Sequence, residues 1–256
     1  VVDIHVMRDL CSRREVVGGG VTLGLLALAG CRSNSSAEAL PAPVRPAPEL
    51  AQTPPVRPGP APLSHRPVPL GSEPSVLPRS AWTRVGVARP QDINPLGGVV
   101  RITIHHDGMD TFTATDSAAA AQRIETIRHA HVNGRRFADI GYHYIVDPAG
   151  RVWEGRSIRY QGAHVQDHNE NNLGVMCLGN FDNQAPTRAQ QAALDAFIAG
   201  QMRRYRVPIT RVHTHQELMP TACPGRNLQR YLIASRSTGG SMRLAAAELD
   251  PSLVIA

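Results

Sequence analysis

The sequence predicts an α/β domain, a mixed central β-sheet flanked by helices. Two observations carry that expectation. Apolar, β-branched runs at 99–106 (VVRITIHH), 172–181 (NLGVMCLGNF) and 209–215 (ITRVHTH) have the length and composition of buried strands. Long helical patterns separate these runs, and strands alternating with helices describe a sheet covered on its faces.

The elements follow in order. In DSAAAAQRIETIRHAHV a helix opens on Asp116 or Ser117 as N-cap and stops before Asn133-Gly134. YHYIVDPAGRVWEGR reads as a hairpin turning at residues 147–150. Thr187 and Gln190 form a capping-box pair that opens a helix through Arg204. Leu194, Phe197, Ile198, Met202 and Tyr205 recur along it at helical spacing, which marks a face packed on the core. NLQRYLIASR gives a last helix. The folded domain is therefore expected at 79–236, followed by a C-terminal tail, 237–256, without assigned structure.

The N-terminal part has a different character. Residues 1–31 read as an export signal: a basic segment, an apolar run at 16–29 and then Cys31. The run is short and glycine-rich, with the proportions of a signal h-region rather than a spanning helix. Arg13 and Arg14 match a twin-arginine signal. Leu28-Ala29-Gly30-Cys31 resembles a lipobox, where bacterial lipoproteins are cleaved and acylated on the cysteine. The implied product is an exported protein, lipid-anchored through Cys31 at the cell envelope. Residues 32–78 repeat Pro-x-Pro spacings and read as an extended linker. At about 3.1 Å per residue it would reach on the order of 100 Å, which suits a tether.

Composition narrows the partners. A hydrophobic share of 42% excludes a chain disordered throughout. The net charge of +6 comes from 27 basic residues, all arginine, with no basic run and no interleaved aromatics. No nucleic-acid partner is expected; a carboxylate-bearing substrate or an anionic surface fits the charge. Cys11 and Cys31 belong to the signal, leaving Cys177 and Cys223. In an exported protein these two can form a disulfide, or Cys223 can be a thiolate metal ligand with Cys177 buried in a strand.

The segment HTHQELMPTACPG, 213–225, crowds two histidines, an acid, a threonine and a cysteine together. Side chains alternate along a strand, so His213 and His215 share a face while His105 and His106 point oppositely. At most one of His105 and His106 can face a shared site. A catalytic zinc takes three protein ligands and leaves its fourth position open. A histidine from the first strand, one from the last and Cys223 would supply three. Glu217 can orient a ligand or simply be solvated.

HTHQELMPTACPG resembles the closing motif of the zinc-dependent N-acetylmuramoyl-L-alanine amidases, a family that includes phage lysozyme-type amidases and peptidoglycan recognition proteins. ITIHHDG, DIGYHYIV with GRVWEGR (139–156), GAH (162–164), LGVMCLGNF (173–181) and PRSAWTRVG resemble further blocks of the family, in its order. The resemblance covers the whole expected domain and implies a single peptidoglycan-recognition/amidase fold. It implies Zn2+ held by His105, His215 and Cys223, with Tyr142 and Thr221 as catalytic hydroxyls. It also implies substrate contacts from His164 and Arg156. The implied reaction is hydrolysis of the amide between N-acetylmuramic acid and L-alanine in peptidoglycan or muropeptides, by a monomer. The alternative is a receptor of the same fold that binds peptidoglycan without cleaving it; members that keep the cysteine are the hydrolytic ones. Two departures, DGMD after the histidine pair and Ser157-Ile158 after EGR, leave the third residue of the stem peptide unassigned.

Overall fold

The computed structural model describes residues 73–255. The expected export signal, Cys31 and the linker up to residue 72 lie outside the described residues. Six strands form one sheet: β1 (Val76–Leu77), β2 (Arg101–His106), β3 (Tyr144–Val146), β4 (Val152–Glu154), β5 (Asn172–Cys177) and β6 (Val212–Thr214). Their order is β1-β4-β3-β5-β2-β6. Only the β3–β4 hairpin is antiparallel, so the sheet is mixed, as the sequence predicts.

Helices cover both faces. Ile102 and Ile104 of β2 enter an apolar cluster with Leu173, Val175, Phe197 and Leu232. That cluster lies under α2 (Arg188–Tyr205), α3 (Arg226–Arg236) and α4 (Ser241–Leu249). On the opposite face Ile145, Trp153 and Met176 pack with Ile124 and Ile127 of α1 (Ser117–His129). β5, buried on both sides, reads as a nearly unbroken apolar run; β2 is buried as well, but its second face carries the polar Thr103 and His105.

Capping follows the expected residues with one correction. Asp116 caps α1 by accepting from the Ala119 N–H at 2.9 Å. Thr187 caps α2 by accepting from the Gln190 N–H at 3.0 Å. Gln190 does not complete a capping box. Its amide donates instead to the carbonyls of Val146 and Leu178 at 3.0 and 3.1 Å, tying α2 to the ends of β3 and β5. Those carbonyls are buried acceptors, which a surface N–H near the helix start does not compensate.

Ordered structure extends beyond the expected domain at both ends. Val76 and Leu77 leave the proline pattern and pair with Val152 and Trp153 at the sheet edge. Past residue 237 the chain forms α4 and a 3₁₀ turn, Pro251–Val254. Met242, Ala246 and Leu253 of this segment belong to the main core. Buried Asp195 on α2 accepts hydroxyl hydrogen bonds from Tyr231 at 2.6 Å and Ser235 at 2.8 Å, and another from Ser241 on α4. Burying one Met or Leu side chain contributes about 1.5–3 kcal/mol. Truncation after Arg236 is therefore expected to cost several kcal/mol, read as a lower urea midpoint than that of the full chain. An unchanged midpoint would show that α4 contributes nothing to the fold.

Candidate metal centre

The site grows from the carboxyl end of β2. Thr103 and His105 point away from the Ile102–Ile104 cluster, toward the face that α1 covers, and His105 is fully buried. His106 points the other way and stacks on Phe181 with ring centres 6.2 Å apart. Alternation thus separates the two histidines as the sequence requires.

The third expected strand is shorter than its sequence run. β6 stops at Thr214, and His215–Glu217 coil into a 3₁₀ turn. Glu217 accounts for the stop: its carboxylate accepts the Thr214 N–H at 2.9 Å and pairs with Arg236 of α3 at 2.6 Å. It also accepts from the Gln229 amide at 2.9 Å. Burial alone would raise its pKa, but the Arg236, Thr214 and Gln229 hydrogen bonds prevail and hold it at about 2. Glu217, though exposed, is engaged on one side by these partners and locks the turn that presents His215. His213 pairs with Thr103 and so shares the face of His105, but it sits back along the strand, outside the cluster.

Cys223 arrives from the loop before α3. The His106 N–H reaches its Sγ at 3.4 Å, and the Cys223 carbonyl accepts from the Gln216 N–H at 2.9 Å. Donor atoms of His105, His215 and Cys223 all lie within 4.8 Å of one another. Cys223 Sγ stands 3.6 Å from His105 Nδ1. A sulfur at about 2.3 Å and a nitrogen at about 2.0–2.1 Å from one tetrahedral zinc are separated by about 3.6 Å, so this pair fits the ion. His215 Nε2 is buried and has no hydrogen-bond partner. Burial, together with the neighbouring histidines, pulls the pKa of His105 well below the ordinary range. Burial chiefly, with His106 and Arg135, takes His215 to about 4. Both imidazoles are thus neutral at pH 7, as ligation requires. Burial pushes the Cys223 thiol up to about 12, against the lowering effect of the His106 N–H.

The remaining expected residues surround this cluster. The Tyr142 ring lies 5.1 Å from the His105 ring, centre to centre, and burial first, then Cys223, raises its phenol pKa. Thr221 is exposed, and its hydroxyl accepts from the Cys223 N–H at 3.3 Å. His164 is buried at 3.0 Å from His105. Arg156 is buried and its guanidinium donates to the carbonyls of Ile140, Gln161 and Asp139, clamping the segment before β3 to the one before β5. It also borders a cavity of about 260 Å³ with Asp92, Asn94, Phe137, Gln161 and Ala163. Cys177 and Cys223 are both free thiols, so the disulfide alternative is not adopted. Cys177 ends β5 on the α2–α4 side, among the apolar residues of the main core.

One contributor was not legible. His131, in a π-helical turn (Ala130–Gly134) that continues α1, accepts from the Gly141 N–H at 3.0 Å. Its ring touches Tyr142 at 5.6 Å. It therefore sets the backbone just before the tyrosine. In the sequence it is one more polar residue at a helix end.

The model of the family described as N-acetylmuramoyl-L-alanine amidase matches residues 96–226, about half of the chain. The chain belongs to this family. Its relatives include an N-acetylmuramoyl-L-alanine amidase of Sus scrofa, 31% identical over 168 residues. That match takes in 62% of this chain but 27% of the pig protein, so this chain spans little more than a quarter of that relative. A peptidoglycan-recognition protein of Drosophila simulans is 31% identical over 160 residues, 61% of this chain and 85% of that protein. Among solved structures, peptidoglycan recognition protein-LE in complex with tracheal cytotoxin, a monomeric diaminopimelic acid-type peptidoglycan, aligns at a TM-score of 0.53. It is 25% identical, with 59% of this chain and 88% of that one covered. The family match contains His105, Tyr142, His164, His215, Thr221 and Cys223; α4 lies beyond it.

Proposed function

We propose that the domain is a zinc amidase that hydrolyses the bond between N-acetylmuramic acid and L-alanine in peptidoglycan or its fragments. The observation that carries this is the convergence of two neutral imidazoles and a thiol on one centre. His105, His215 and Cys223 would hold the ion. When bound, zinc supplies a Lewis acid for the carbonyl and an acidified water as nucleophile.

The chain's own hydroxyls would do the rest of the electrostatic work. A phenol with a raised pKa stays protonated, so Tyr142 is a hydrogen-bond donor throughout. Thr221 uses a lone pair on the Cys223 N–H and keeps its own proton to donate. Either can meet the carbonyl oxygen as it becomes anionic. When the C–N bond breaks, the water oxygen remains on the lactyl carbonyl and its proton goes to the alanine nitrogen. The cavity beside Arg156 would take the flanking sugar or peptide, and no stem-peptide preference is assigned.

Elemental analysis of the full chain, with release of free peptide from a defined muropeptide measured on the same preparation, tests the proposal. One zinc per chain together with peptide release is expected. Binding of muropeptide without release would leave a receptor of the same fold; activity undiminished after metal removal would sink the metal mechanism.

We further propose export and lipid anchoring through Cys31, on the lipobox-like sequence. Among the described residues no helix is long and apolar enough to cross a membrane. Cys31→Ala is expected to shift the protein from the membrane fraction to the soluble one with turnover unchanged. An unmodified mature N-terminus beyond residue 31, seen by mass spectrometry, would contradict anchoring.

A further inference from the structure

His164 reaches the site without joining the three candidate ligands. Its Nδ1 lies 3.0 Å from His105 Nε2, and its Nε2 lies 3.1 Å from the backbone carbonyl oxygen of Asn172. On the far side of the His105 ring, Nδ1 faces Cys223 Sγ. Four groups are therefore strung in a line: carbonyl, imidazole, imidazole, thiol.

The first group decides the protons on the rest. A carbonyl oxygen can only accept, so the proton of His164 sits on Nε2. Both rings are buried, and their hydrogen-bond partners are each other, a backbone carbonyl and a thiol, none of which offsets a buried positive charge, so each carries a single N–H. His164 Nδ1 is then a bare acceptor, and His105 must donate to it from Nε2. His105 then keeps its Nδ1 free of a proton, on the Cys223 side.

We propose that His164 is a positioning residue for the metal centre, fixing His105 as the Nε2–H tautomer so that its Nδ1 lone pair faces the space shared with His215 and Cys223. This rests on the zinc proposal for its consequence but not for its hydrogen bonds. A ligand histidine ordinarily has its second nitrogen held by a carboxylate, a carbonyl or water. Here a second imidazole intervenes and relays the preference of a carbonyl in β5.

The surroundings hold the relay in place. Asn172 is pinned at the start of β5: its side-chain oxygen accepts from the Thr103 hydroxyl at 2.9 Å and its amide donates to His168 at 2.8 Å. Asn169 accepts from the backbone N–H groups of His164 and Val165 at 2.8 and 2.9 Å, fixing the loop that carries the ring. Gly162 and Gly174 flank the imidazole. A Cβ at either would stand 2.4 or 2.5 Å from His164 Cδ2, so both positions must stay bare for the ring to fit. The rings of His105 and His164 meet edge to face, 5.0 Å apart at 82°.

The test has two arms on the full chain. Two-bond proton–nitrogen correlations on metal-free protein with labelled histidine report each tautomer, and both His105 and His164 are expected as Nε2–H. Zinc affinity, by chelator competition, is expected to fall about 10–100-fold in His164→Phe, which keeps a ring but offers no acceptor. His164→Asn, which restores an acceptor oxygen near the former Nδ1, is expected to recover part of the loss. A proton on His105 Nδ1 in the wild type would overturn the proposal, as would a folded His164→Phe protein with wild-type affinity. If His164→Phe does not fold, the wild-type tautomers still decide. Wild-type protein that takes up no zinc would refute the zinc proposal alone, because the tautomers are read without metal.

Discussion

Cys223→Ser is expected to lose nearly all zinc and with it nearly all turnover. The serine hydroxyl keeps its proton where the thiol can surrender one, so the site would fall from three donors to two. The drop in zinc affinity should exceed the roughly 10–100-fold that follows loss of an outer-shell partner. Cys177→Ser is the control. It buries a hydroxyl among the apolar residues of the main core, expected to cost about 1–3 kcal/mol of stability while metal content stays at the wild-type level. Because burial keeps the metal-free Cys223 thiol protonated, zinc uptake should release a proton, and affinity should fall as pH falls. A Cys223→Ser protein that retains stoichiometric zinc and wild-type turnover would remove the thiol from the centre.

The second large effect is expected at the hydroxyls. Tyr142→Phe keeps the ring against His105 and His131 and deletes only the donor. Thr221→Val does the same at nearly constant volume. If each hydrogen bond strengthens as the carbonyl oxygen gains charge, turnover should fall about 10²-fold in each variant with zinc content unchanged. Substrate binding should weaken much less, which separates a donor that acts in the transition state from one that merely holds the ground state. Near-normal turnover in both variants would leave the metal to act alone.

The sheet was legible because β5 is covered on both faces and reads as a nearly unbroken apolar run, while β2 sets β-branched Ile102 and Ile104 alternately with Thr103 and His105. The cluster of candidate donors was legible for a different reason: alternation divides His105 from His106, and the resemblance distinguishes His215 from His213. What stayed hidden depends on tertiary partners. α4 is a nine-residue helix whose value lies in Met242 and Ala246 meeting α2, a fact that local periodicity does not carry. The role of Glu217 stayed open because Arg236 and Gln229 are distant in sequence. His164 and Arg156 were expected to meet substrate. The fold turns His164 toward His105 and turns the guanidinium of Arg156 onto three backbone carbonyls.

The strand that carries His105 lies inside the sheet, laddered to β5 on one side and β6 on the other. Its geometry is set by backbone pairing and by the apolar cluster around Ile102 and Ile104, neither of which uses the side chains of the three donors. The turn before Cys223 is likewise held by the Glu217–Arg236 pair and the Gln216 bond. The cradle is therefore finished before any ion enters it. In small zinc modules the ion is the keystone, and chelation unfolds them; at the zinc site proposed here it would be a removable tool in a rigid grip. On the proposed function, such a protein would lose its catalyst and regain it without refolding, so metal supply would switch activity on and off rather than decide whether the fold survives.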